Sequence, residues 1–75
     1  MTVDLLRAVG ESLYGPFWQS EMARELDVAI RTVQRWAAGA NAIPEGVFYD
    51  LRERVVARRA DLAELAKKLP KGDRP

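Results

Sequence analysis

Four polar side chains able to donate hydrogen bonds crowd into one short stretch, at Arg31, Thr32, Gln34 and Arg35. On a helix, Arg31 and Arg35 stand one turn apart, so both can face one wall of a groove. An arginine forks two N–H groups onto guanine O6 and N7, which discriminates against a wrong base by about 1–3 kcal/mol. Ile30, just before them, offers only apolar contact, for example with a thymine methyl group. Val33 and Trp36 lie three residues apart on the opposite face and form a stripe to be buried. A helix with that stripe on one side and an Arg/Gln/Thr stripe on the other has the chemistry of a base reader.

The rest of the composition sets bounds on this chemistry. The chain has neither histidine nor cysteine, so disulfides, thiolate metal sites and His-based catalysis are excluded. Its carboxylates are scattered over helical positions without a convergent pair, and no cofactor, metal or small-molecule ligand is expected. We therefore read the chain as a non-enzyme. The absence of cysteine suits a reducing cytoplasm, and the expected setting is a bacterial or phage-encoded cytoplasmic protein. The first fifteen residues carry Asp4 and Glu11 and do not read as a signal peptide. No stretch is long and apolar enough to span a membrane.

Net charge is only +1, which by itself announces no polyanionic partner. Its distribution says more: no acid lies between Asp27 and Glu45, a window that holds Arg31 and Arg35. Screening confines exposed charges to about 8–10 Å, so a local basic stripe matters more to phosphates than the total.

The elements that must position these side chains are all helical, and the expected class is all-α with four to five helices. Leu5, Leu6, Val9 and Leu13 recur at helical spacing over residues 2–14, and Gly15-Pro16 ends that run. A second helix is expected from about residue 18 or 19 to 27, and a third over residues 29–38, with Gly39 taking the left-handed C-terminal conformation. Ala23 is the small residue needed where two helices cross closely. Leu26 and Val28 bracket the turn. Trp36 belongs to the core, and so, on this reading, do Phe17 and Trp18, sealing the first helix against the second. Pro44 fits the first turn of a fourth helix, with Glu45 complementing its dipole.

That last helix has Phe48, Leu51, Val55, Leu62, Leu65 and Leu69 in 4-3 spacing, interrupted only at Arg58. It either continues to Leu69 or breaks near residues 58–61, with Asp61 capping a fifth helix. The first half of the stripe must cover the core. Leu62, Leu65 and Leu69 outrun it and are expected to pair with a second copy, or else to pack back on the first helix. The single domain thus spans residues 1–69, with a dimerisation segment at 45–69 and a disordered tail at 70–75. Tyr49 either packs or offers its hydroxyl to a phosphate. Arg52, Arg54, Arg58 and Arg59 read at least as well as a solvated face as a nucleic-acid contact.

The stretch FWQSEMARELDV, followed by AIRTVQRWAAG and IPEGVFYDL, resembles the helix-turn-helix family of phage repressors, the Cro/CI or lambda-repressor-like domains. The likeness covers residues 17–51, with the helix-turn-helix at 19–38. Asp27 stands where the family usually has glycine, and Ala29 where a Ser or Thr cap is common. Asp tolerates the left-handed conformation at some cost, and a missing cap weakens a helix start by about 1 kcal/mol. The resemblance implies that Gln19 binds a backbone phosphate, and that Ile30, Arg31 and Arg35 enter the major groove with Gln34 at its edge. It makes Thr32 and Asn41 candidates for further phosphate contacts.

Two functional readings follow. One is a sequence-specific transcriptional regulator, a homodimeric repressor or autoregulator of a small operon, for example of prophage or mobile-element type, on palindromic double-stranded DNA. Its half-sites would lie one helical turn, about 34 Å, apart. The other is a protein-interaction module or antitoxin-type partner that retains the fold.

Overall fold

A computed structural model describes residues 2–72 and places four α-helices in them: α1 (Val3–Tyr14), α2 (Trp18–Leu26), α3 (Ile30–Ala37) and α4 (Glu45–Lys68). Among the described residues there is no strand, and no helix is long and apolar enough to cross a membrane. The class is all-α. Residues 73–75 of the expected tail lie outside the described residues, and residues 70–72 carry no regular secondary structure.

Local chemistry explains each boundary. The Thr2 hydroxyl accepts from the Leu5 amide at 3.1 Å and caps α1. Gly15 leaves α1 at φ 83°, and a short 3₁₀ turn, Gly15–Phe17, carries the chain into α2. Asp27 ends α2 at φ 57°, ψ 48°, a left-handed conformation that Asp visits more readily than most residues. Its backbone N–H donates to the Arg24 carbonyl, which closes the turn. Ala29 begins α3 without a side-chain cap, and Gly39 leaves it at φ 75°. Pro44 sits just before the first turn of α4, in extended conformation, rather than inside it.

The core is one cluster, formed by Leu6, Leu13, Trp18, Met22, Ala23, Val33, Trp36 and Leu51. It draws on all four helices: α1 packs on α2, α3 and α4, α2 packs on α3, and α4 contributes Leu51. Burying each of these larger side chains contributes about 1.5–3 kcal/mol. No polar or charged residue is fully buried among those described.

Phe17 departs from expectation. It is 80% exposed, while its neighbour Trp18 is buried. Successive residues of a helical turn point about 100° apart, so only one of the two rings can face the core. Gly10 decides which: a Cβ there would overlap the Trp18 indole, so α1 leaves a recess that Trp18 fills.

The fourth helix is continuous for 24 residues, with no break at 58–61. At about 1.5 Å per residue it is longer than the body it packs on, which gives the molecule extents of 51 × 22 × 21 Å. Leu62 lines a shallow depression with Ser12 and Leu13 of α1. Leu65 and Leu69 are 53% and 66% exposed, Leu69 as the extended C-cap just beyond α4, and no other described residue covers that end of the stripe.

Candidate nucleic-acid interface

Eight residues of α3 divide cleanly into two arcs. Val33 and Trp36 are buried in the core, where α3 packs on α1 and α2, and this fixes the rotation of the helix about its axis. At about 100° per residue, Ile30, Arg31, Gln34 and Arg35 then fall on the opposite arc. All four are exposed. Thr32 stands apart from them, half-buried on the flank, with its backbone N–H bound to the Ala29 carbonyl at 2.9 Å.

Neither Arg31 nor Arg35 makes a side-chain hydrogen bond or an ion pair among the described residues. Arg7, Arg52, Arg59, Lys68 and Lys71 are likewise without a side-chain partner among the described residues, whereas four other basic groups are engaged. Arg24 pairs with Glu21, Arg54 with Glu25, and Lys67 with Glu64. Arg58 donates to a backbone carbonyl of α1. Two guanidiniums on the acid-free stretch are thus left with full donor capacity toward solvent.

Gln19 lies in the first turn of α2, half-buried, and shares an open cleft of about 290 Å³ with Ile30 and Gln34. Asn41 is exposed just beyond α3, and its backbone N–H reaches back to the Arg35 carbonyl at 3.4 Å. The structure therefore brings Gln19, Ile30 and Gln34 together, with Arg31 and Arg35 continuing the same face. Thr32 and Asn41 border it.

Other expectations resolve away from this face. The Tyr49 hydroxyl donates to Glu45 Oε1 at 3.2 Å, within α4. Arg54 and Arg58 hold helices together and are not free for an outside partner. The sequence places Phe17 in the core, yet it is exposed and lines the Gln19–Gln34 cleft. The signal that could have found it is the doublet of aromatics after Gly15-Pro16, of which a helix start can bury only one.

No family model matches the chain, and no curated protein or solved structure matches it.

Proposed function

We propose that the protein is a sequence-specific DNA-binding transcriptional regulator of lambda-repressor-like helix-turn-helix architecture. On this reading α3 enters the major groove, and Ile30, Arg31, Gln34 and Arg35 meet base edges. Gln19, Thr32 and Asn41 contact flanking phosphates. The observation that carries the proposal is the outward arc of α3: exposed, rich in donors and free of acids, with both its arginines unpaired among the described residues.

The protein acts as a homodimer, joined through Leu62, Leu65 and Leu69, on a palindromic operator. Two copies related by a two-fold axis present α3 to half-sites about 34 Å apart. With no effector site in this reading, repression comes from occlusion of polymerase and control from protein concentration. This suits an autoregulator in a small cytoplasmic operon of prophage or mobile-element type.

A second reading, an interaction module or antitoxin-type partner, is favoured by the uncovered leucine stripe of α4. Selection of bound duplexes from a random pool, followed by a salt titration, separates the two. A DNA reader enriches palindromes and loses affinity steeply with salt, with a slope of about −0.9 per neutralised phosphate. An interaction module enriches nothing.

A further inference from the structure

Phe17 is the most exposed large apolar side chain among those described, and it stands beside the reading arc of α3 rather than on a remote surface. The core does not need it, since Trp18 already fills the recess left by Gly10. With Pro16, Trp18 and Ile30 it forms the apolar part of the cleft whose polar part is Gln19, Ser20 and Gln34. No charged residue lines this cleft, and Glu21, in the same turn of α2, is held by Arg24. The face therefore has two chemically distinct halves: a cationic one at Arg31 and Arg35, and a neutral one with carboxamides and an apolar lining in which Phe17 and Ile30 are the exposed large side chains.

The four base-pair edges in the major groove do not fit this neutral half equally. Adenine presents an N7 acceptor beside an N6 donor, which one carboxamide satisfies through two hydrogen bonds. Thymine adds a 5-methyl group, the apolar feature of that groove. A G·C pair in the cleft would set polar edges against Phe17 and Ile30 and leave them without a partner. We infer that Phe17 is a specificity-determining residue, and that this cleft takes an A·T step with Phe17 and Ile30 closing on a thymine methyl while Gln34 pairs with adenine. The inference rests on the DNA-binding reading above and extends it to a residue outside α3.

The test uses the full chain and a duplex selected from the random pool, with each thymine replaced in turn by uracil, which removes only the methyl group. Wild type should lose about threefold to tenfold in affinity at one thymine of each half-site, the range expected for a desolvated methyl with its contacts. Phe17→Ala should lose a similar factor on the thymine duplex and nothing further on the uracil duplex. Its thermal unfolding should match wild type, because the ring is exposed. Wild-type affinity in Phe17→Ala, or undiminished uracil sensitivity, overturns the inference while leaving the DNA reading intact. A wild-type protein that enriches no duplex overturns both.

Discussion

Arg58 Nη2 donates to the Leu13 carbonyl at 2.8 Å, across 45 residues of sequence. Leu13 lies in the last turn of α1, where carbonyls lack helical partners and the dipole is negative. Arg54, one turn earlier, does the same for α2. Its Nη2 donates to the Glu25 carbonyl at 3.1 Å and its Nε to Glu25 Oε1 at 3.2 Å. Two arginines on one face of α4 thus pin the C-terminal ends of α1 and α2. The polar interruption in the apolar stripe is a clamp. Arg58→Met keeps the aliphatic stem and removes the donors, and should lower the unfolding free energy by about 1 kcal/mol. Urea denaturation measures this, and a midpoint equal to wild type would contradict the clamp.

Gly10 and Gly46 both occupy helices but should respond oppositely to alanine. In each, alanine gains up to about 1 kcal/mol of helix propensity. A Cβ at position 46 meets nothing within 4 Å, so Gly46→Ala should raise the melting temperature. At position 10 it meets the Trp18 ring carbons, which belong to a buried and rigid side chain. Overpacking there costs about 1–3 kcal/mol, and Gly10→Ala should lower the melting temperature. Equal shifts in the two variants would show that the recess is not needed.

The elements were legible because each boundary has a local cause. Gly15-Pro16, Asp27 and Gly39 impose turns that nearby residues can announce, and Val33 with Trp36 fixes the rotation of α3. The outward placement of Arg31, Gln34 and Arg35 follows from that stripe alone. What was not legible depends on contacts distant in sequence. The exposure of Phe17 depends on the recess at Gly10, and the role of Arg58 depends on where α1 ends. Continuity of α4 through residues 58–61 was open for the same reason, since the Arg58 clamp sits inside the suspected break.

Tyr14 carries a buried hydroxyl without a hydrogen-bond partner. Burial raises its pKa above the ordinary 10.0, and the nearby Glu25 carboxylate adds to the effect. The folded state therefore holds the phenolic proton more tightly than the unfolded chain. Stability from this group is full below about pH 10 and declines as pH rises through the folded value. Tyr14→Phe removes the orphaned hydroxyl and should leave neutral-pH stability unchanged or raise it by up to about 1 kcal/mol. The variant should also lose less stability than wild type between pH 9 and 11 (about one unit either side of the tyrosine value). Parallel pH profiles for the two proteins would remove the phenol from this account.

Arg31→Ala and Arg35→Ala should each weaken specific duplex binding by about 1–3 kcal/mol and relax preference at one base pair. Gln19→Ala should weaken binding to all sequences alike, because a phosphate contact carries no base information. Competition between the selected operator and scrambled duplexes distinguishes these outcomes. Unchanged selectivity in both arginine variants would strip α3 of its reading role. A base-selective loss in Gln19→Ala would move that residue from the phosphate to the base edge.

The far half of α4 poses a stability problem that a second copy would solve. Isolated helices shorter than about 12–15 residues are marginal in water, and the leucines of this half gain little from burial in one chain. Leu62 and Leu65 lie on one face of α4 at helical spacing, and Leu69, its extended C-cap, adds an exposed apolar side chain just past the helix end. Pairing two such faces would order the helix and bury its apolar stripe at once. Leu65→Asp places a carboxylate on that face, where burial without a partner is costly. It should shift sedimentation toward the monomer, and weaken binding to a two-half-site operator far more than to a single half-site. An unaltered sedimentation profile would mean that the face joins nothing, and the leucines would then need another partner.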